Sequence, residues 1–491
     1  MRPTEILLCG LMLIASIFAL FTARPEGLDQ WIFSLLLLTV LAIHAVREGV
    51  HWQLVPLYST VPALLIGWLP YTPVAALPWI GIACLLLIAL SITASVLVPM
   101  FKLPAPSGPY RVGTRILYVV DSSLDAWGGD SVAIARELGS RRELMVQLWY
   151  PAEPAGNQKA VYRRLRETTP KSSHHAVLRT DSFLNAPISS QDAPHPLLLF
   201  SPAWTGQRTQ STFQMQDLAS HGFVVASIDH TYYSGRVAFP DGRVLDGQSA
   251  PQLGNFENVT VPEAIELIAK YVLIEAKDQV FVLDQLSALN NDETSSFYQQ
   301  LDLMRIGAFG HSIGGAAACE ACYLDSRIKA ALNIDGWMGA DVLTEGLAKP
   351  WMAIYGRETE NRPSSEELSV ATPVVQRYWE MNRQNDAAVQ ANLTRSGGFR
   401  LYIEGAGHWN FSDRPLYSPR RSWTSAGPIQ PRRAFAIINS YTRAFFSQAL
   451  NGKNEPLLQQ SRSEFSEVEF EVWPPPAEGP SIVGVSAGTA N

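Results

Sequence analysis

Gly310-His311-Ser312-Ile313-Gly314 sets a serine between two glycines. A serine hydroxyl is a weak nucleophile at neutral pH and needs an activating base. Residues 305–309, just before the motif, read as a buried strand, and Gly315-Ala316-Ala317-Ala318, just after it, as the start of a small-residue helix. Strand, tight turn and helix in that order make a nucleophile elbow. The turn forces strained backbone angles on the serine, the glycines let strand and helix approach closely, and the helix N-terminus favours developing negative charge. Acyl transfer through Ser312 is the chemistry this arrangement predicts.

The base must follow the nucleophile, because on such a scaffold the chain order is Ser, then Asp or Glu, then His. Of nine histidines only His408 comes after Ser312, and Gly405 and Gly407 give it a tight loop just beyond a strand. Two acids fit the remaining place. Asp335 ends the strand 330–335, and Glu358 follows the strand 351–356. Carboxyl ends of strands face the site in open parallel sheets, so position alone leaves both open. The oxyanion needs two backbone N–H donors. One is expected from Ile313. The other is expected from the loop Pro202-Ala203-Trp204-Thr205-Gly206, with Trp204 as the candidate; an aromatic that only lines the pocket is the competing role for it. His311 is expected to pack and hydrogen-bond with its ring directed away from the serine. This chemistry needs no cofactor and no metal.

Short apolar strands at 144–150, 196–201, 223–229, 305–309, 328–335, 350–355 and 401–403 alternate with helical stretches, of which 261–286 has the clearest three- and four-residue periodicity. That pattern predicts an α/β fold with a mostly parallel sheet covered on both faces. Residues 152–192 read as polar and irregular. Cys319-x-x-Cys322 lies on the helix after the motif, with no second ligand pair and no thioredoxin-like context, so it reads as two small core residues.

The chain has 491 residues, of which 47% are hydrophobic and 17% charged. A soluble protein usually has about 25% charged residues, and the deficit is local. Between residues 6 and 100 the charges are Arg24, Glu26, Asp29, Arg47 and Glu48. Segments 6–23, 31–46 and 77–101 read as membrane spans, since a span needs about 20 apolar residues. Segment 54–69 carries Pro56 and Pro62 and is a fourth, kinked candidate. A cleaved signal peptide is the rival reading of the first segment, but later spans would still hold the protein in the membrane. Four spans would put Arg2, Arg47 and Lys102 on one side; three leave almost no charge bias. The expected organisation is a helical membrane region at 1–103, a catalytic domain at 104–473 and a disordered tail at 474–491. A net charge of −7 without basic runs excludes nucleic acid as a partner.

Several segments resemble the platelet-activating factor acetylhydrolase family of α/β-hydrolases, of the isoform II and lipoprotein-associated type. Gly108-Pro-Tyr-Arg-Val-Gly113 and Val146-Gln-Leu-Trp-Tyr-Pro151 look like its opening. Phe200-Ser201, Arg208-Thr209 and Asp217-Leu-Ala-Ser-His-Gly-Phe-Val-Val225 look like its oxyanion loop and the helix and strand after it. Gly310-His-Ser-Ile-Gly-Gly315, Ile334-Asp-Gly-Trp-Met338 and His408-Trp-Asn-Phe-Ser-Asp413 are similar to the segments carrying its nucleophile, acid and base. The resemblance implies Asp335 as the acid, with Glu358 in reserve, and puts Trp204 where the family has an oxyanion-hole leucine. It implies a metal-independent hydrolase of short-chain esters, sn-2 acetyl phospholipids among them. Pro202-Ala-Trp-Thr205 replaces the family's His-Gly-Leu-Gly loop, and the animal enzymes have no counterpart of the membrane region. Two other readings compete: a broad carboxylesterase, lipase or polyester hydrolase on the same residues, and a non-catalytic membrane scaffold with this fold.

Overall fold

The computed structural model describes residues 2–22, 25, 27–121, 142–155, 158–247, 259–360, 363–459 and 464–474. The chain opens with helices α1 (Pro3–Leu20), α2 (Gly27–Arg47), α3 (Val55–Gly67) and α4 (Leu77–Leu97). Leu8, Met12, Ala15, Ala19 and Leu64 are buried among them, yet Leu7, Ile14, Leu35 and Leu86 on the outside are apolar as well. Helices apolar on both faces have no aqueous side. A Cβ on Gly81 would stand 2.8 Å from the Ser16 carbonyl oxygen, so glycine lets α4 and α1 touch backbone to backbone. α1, α2 and the segment Val74–Leu97 are long and apolar enough to cross a membrane. α3 has 13 residues with Pro62 inside it, short of the roughly 20 a span needs. His44 is satisfied by neighbours, its Nε2 2.7 Å from the Tyr58 hydroxyl and its Nδ1 3.1 Å from Thr4 Oγ1.

After the helices come β1 (Arg111–Asp121), β2 (Arg142–Ala152), β3 (Lys159–Val161), β4 (Arg179–Leu184), β5 (His195–Ser201), α5 (Thr212–Ser220), β6 (Val224–Asp229) and the small hairpin β7 (Val237–Ala238) and β8 (Val244–Leu245). There follow α6 (Val261–Asn291), β9 (Leu301–His311), α7 (Ile313–Leu324), β10 (Ile328–Ile334), β11 (Trp351–Gly356), α8 (Pro373–Ser396), β12 (Gly398–Ile403), α9 (Pro431–Asn451) and β13 (Val468–Trp473). The main sheet runs β13-β12-β11-β10-β9-β5-β6-β2-β1-β4-β3. From β12 to β6 the neighbours are parallel; β2 and β13 join antiparallel on either side.

Alternation along β5 explains the layers. Leu198 and Phe200 enter one core with Phe213, Phe309, Phe435 and Phe446, while Leu197 and Leu199 enter the other with Leu283, Leu286 and Leu393. Each strand residue thus finds a helix over it, α5 and α9 on one face and α6, α7 and α8 on the other. The region read as irregular, 152–192, carries β3 and β4. These are short strands of mixed polarity at one end of the sheet, β3 on its edge and β4 next to it, so they lack the apolar run that marks a central strand. The expected tail lies outside the described residues apart from Pro474. Trp52, between α2 and α3, donates from Nε1 to the Lys171 carbonyl at 3.1 Å, tying the helical region to the segment before β4.

Candidate active site

β9 runs straight into Ser312, which adopts φ 59° and ψ −126°, and α7 starts at the next residue. A positive φ is costly for a residue with a Cβ, and such strain persists only where surrounding structure enforces it. Here the Ser312 N–H donates to the Ile334 carbonyl of β10 at 2.8 Å. The two flanking glycines have no room for a side chain. A Cβ on Gly310 would come within 2.1 Å of the Gly314 oxygen, and one on Gly314 within 2.2 Å of the Ser201 oxygen.

Asp335 follows β10 with φ 53° and is buried. Its Oδ1 accepts from the Gly356 N–H at 2.8 Å, and its Oδ2 accepts from Thr359 Oγ1 at 3.1 Å. The same Oδ2 lies 2.6 Å from His408 Nδ1. His408 opens a 3-10 turn, His408–Phe411, whose approach is fixed by buried Asn410. The Asn410 Oδ1 accepts from the N–H groups of Gly407 at 2.9 Å and Gly427 at 2.7 Å. Behind His408 lies the ring of His311, its centre 4.5 Å away. Gln210 donates from Nε2 to His311 Nδ1 at 2.8 Å and accepts on Oε1 from the Ala203 N–H at 3.1 Å. Burial, and then the neighbouring His408, hold the His311 imidazole well below its usual range, so His311 packs as a neutral ring. Glu358 sits in the helical turn Arg357–Glu360 after β11, and its N–H donates to the Ala406 carbonyl at 3.0 Å.

Ser312, Asp335 and His408 line one cavity of about 470 Å3. No hydrogen bond joins Ser312 to His408 in this structure, and catalytic contacts of this kind often tighten only once substrate fills the site. The walls are aromatic: Trp204, Trp337, Tyr355 and Tyr378 contribute, with Asn382 accepting from Trp337 Nε1 at 2.6 Å. Ile313 and Trp204 line the same cavity, and among the described residues the amides of both lack an acceptor within the protein. His311, Asp335 and His408 bring potential ligand atoms within 4.8 Å of one another. His408 Nδ1 and Asp335 are engaged with each other, however, and His311 Nδ1 with Gln210.

Residues 97–464 match the family model described as platelet-activating factor acetylhydrolase, isoform II. The chain belongs to that family. A protein of Arthroderma benhamiae named probable 1-alkyl-2-acetylglycerophosphocholine esterase is 26% identical over 77% of this chain and 95% of its own length. The platelet-activating factor acetylhydrolase of Gallus gallus is 23% identical over 53% of this chain and 63% of its own. Among solved structures, a ferulic acid esterase from Streptomyces cinnamoneus superposes with a TM-score of 0.57 at 29% identity, covering 75% of this chain and 99% of that one. The fold is an α/β-hydrolase fold, and this acetylhydrolase family member is a carboxylic ester hydrolase.

Sequence reasoning missed several parts of this acetylhydrolase-type site. Neither Gln210 nor Asn410 was given a role, although Gln210 follows Arg208-Thr209 and Asn410 lies within His408–Asp413. Asn382 and Tyr378 arrive on α8, a helix the sequence reading did not mark. The Cys319–Cys322 pair is buried on α7 with both thiols free. Burial pushes both thiols up, Cys322 to about 12, which suits core residues and not reactive ones.

Proposed function

We propose that this family member is a membrane-anchored serine esterase that cleaves short-chain acyl esters, including the sn-2 acetyl group of phospholipids, through an acyl-enzyme on Ser312. One observation carries the reading. A serine at φ 59° stands at a strand–helix junction, across a single cavity from a histidine whose Nδ1 is 2.6 Å from a buried aspartate. In the proposed reaction the Ser312 hydroxyl attacks the ester carbonyl while His408 Nε2 takes its proton. Asp335 holds the Nδ1–H tautomer and offsets the charge of the imidazolium. The carbonyl oxygen becomes an oxyanion facing the Ile313 and Trp204 amides. Collapse expels the alcohol, which takes the proton from His408. Water then attacks the acyl-enzyme with His408 as base, releasing the acid and restoring Ser312.

The helices α1, α2 and α4 support the anchoring, because their outward apolar side chains would find cover in lipid. The names of the relatives support the phospholipid substrate. A second reading, a broad carboxylesterase that takes bulky or aromatic acyl groups, is favoured by the aromatic walls of the cavity and the likeness to a ferulic acid esterase.

The test uses full-length protein purified in detergent. An organophosphonate should label the wild type once per chain and leave Ser312→Ala unlabelled; labelling of Ser312→Ala would reject the mechanism. A panel of sn-2 acetyl phospholipid, triglyceride, p-nitrophenyl acetate and a cinnamoyl ester then ranks substrates. Preference for the cinnamoyl ester would favour the second reading. Carbonate washing should leave the protein in the membrane pellet, and its release would remove the anchor.

A further inference from the structure

A second array of serine, histidine and aspartate lies inside the molecule, away from the cavity. Ser201 ends β5, His230 follows β6, and Asp278 sits on α6. His230 Nε2 is 2.8 Å from Ser201 Oγ, and His230 Nδ1 is 2.8 Å from Asp278 Oδ2. Gln279 donates from Nε2 to Ser201 Oγ at 2.9 Å, and Arg142 donates from Nε to Asp278 Oδ1 at 3.0 Å. Ser201, His230 and Asp278 are each no more than 1% exposed, so no ester can reach them and the array is not a second catalytic centre. Asp278 accepts from Nδ1–H, Nε2 meets the Ser201 hydroxyl with the Glu275 carboxylate 3.8 Å beyond, and Gln279 donates to the same serine oxygen. The Arg142 guanidinium balances the Asp278 carboxylate. Gln279 Oε1 is left without a partner, but the linked bonds from Ser201 through His230 to Asp278 and Arg142 still tie together the elements that carry them.

What is attached is the loop that carries Trp204. Ser201 leads directly into residues 202–206, and the Ser201 and Pro202 carbonyls lie against Gly314 in the first turn of α7. The far side of the loop is held by the turn that His230 begins. The Thr205 N–H donates to the Tyr233 carbonyl at 3.0 Å, and the Gly235 N–H donates to the Gly206 carbonyl at 2.8 Å. The N–H groups of Tyr233 and Ser234 both donate to the His230 carbonyl, at 2.8 and 2.7 Å. Above the turn, Tyr271 packs edge-on against the Trp204 ring at 4.2 Å. His230 therefore grips the loop at both ends, by its side chain through Ser201 and by its backbone through the turn.

The geometry points to His230, oriented by Asp278, as a positioning residue that sets the place of the Trp204 amide over Ser312. The inference rests on the proposed role of that amide as an oxyanion donor. Such donors act over a narrow range of distance, and loss of one costs about 100- to 1,000-fold in kcat. Displacement of the loop should cost less, about tenfold to a hundredfold.

The test measures kcat and KM for p-nitrophenyl acetate on full-length protein in detergent, per site titrated with organophosphonate. His230→Asn keeps a donor for Asp278 but cannot reach Ser201; its kcat should fall at least tenfold with KM within about twofold. His230→Gln sets a carbonyl near the former Nε2 and should restore kcat to within about threefold of wild type. Ser201→Ala cuts the same link with His230 intact and should repeat the loss. Equal kcat in the two His230 variants, KM rising in step with falling kcat, or wild-type kcat in Ser201→Ala would overturn the proposal. If neither His230 variant folds, Ser201→Ala decides alone. Failure of the parent reading is separate: a wild type without esterase activity, or a Ser312→Ala protein that retains it.

Discussion

Asp335 carries two burdens at one position. Its backbone takes φ 53° to turn the chain off β10, and its carboxylate gathers the Gly356 N–H, the Thr359 hydroxyl and His408 Nδ1. An asparagine would keep the shape but offer an amide where Nδ1–H expects an acceptor, favouring the wrong tautomer. Asp335→Asn should therefore lower kcat by about 10,000-fold with little change in melting temperature. Glu358→Gln should stay within about threefold. A reversed order in the two kcat values would hand the acid role to Glu358. The residue types were legible because the chain offers few choices: one histidine follows Ser312, and the position of Asp335 was already one of two. Gln210 was not legible, because its partner His311 is 101 residues away and an isolated glutamine has no sequence signature.

At the scale of elements, the elbow depends on backbones that touch. A Cβ on Gly314 would meet the oxygens of Ser201 and Pro202 at 2.2 and 2.5 Å, and neither can move without dragging the loop 202–206. Gly314→Ala should cost about 3 kcal/mol of stability, at the upper end for forcing an atom into a packed site. Esterase activity should fall with it. An unchanged melting temperature and rate would mean the elbow is looser than these contacts require. The central strands β5, β6, β9, β10 and β11 were readable because both faces are buried, which yields continuous apolar runs. β1 was not, since charged Arg111 and Arg115 interrupt it at the side of the sheet. α8 was not, because its buried face mixes Met381, Val389 and Leu393 with Asn382, Asn385 and Asn392, too few apolar residues to mark a face. That helix still builds the cavity wall. Asn382→Leu should orphan Trp337 Nε1 and raise KM about three- to tenfold with kcat nearly unchanged; an equal fall in kcat would make the pair part of the chemistry.

For the whole molecule, buried ionisable groups set opposing slopes of stability with pH. Burial raises Glu275 and Asp413 each to about 7. An acid raised in the fold holds its proton more tightly there than in the unfolded chain, so stability is lost as pH climbs from about 4.5 to 7. Burial lowers His174 to about 4 and His175 to about 2, so the unfolded chain gains protons the fold refuses, and stability is lost as pH falls below 6.5. Glu275→Gln removes one slope. It should stabilise the protein by about 3 kcal/mol more at pH 8 than at pH 4.5, since each pKa unit is worth about 1.4 kcal/mol. An equal change in melting temperature at both pH values would show that Glu275 titrates normally. The division into an apolar helical opening and an α/β enzyme was plain from where the charges lie. The bond from Trp52 to Lys171 was not, because it joins side chain to backbone across 119 residues.

The helical opening has a kinetic consequence. If α1, α2 and α4 lie in lipid as proposed, the catalytic unit that follows them in the chain cannot leave one vesicle for another, and its substrate concentration is two-dimensional. Its velocity should follow the mole fraction of ester lipid in its own bilayer, and added inert phospholipid in that bilayer should slow it at constant bulk substrate. Soluble ester would escape this dilution. The same enzyme would then obey two rate laws, one set by surface density and one by volume.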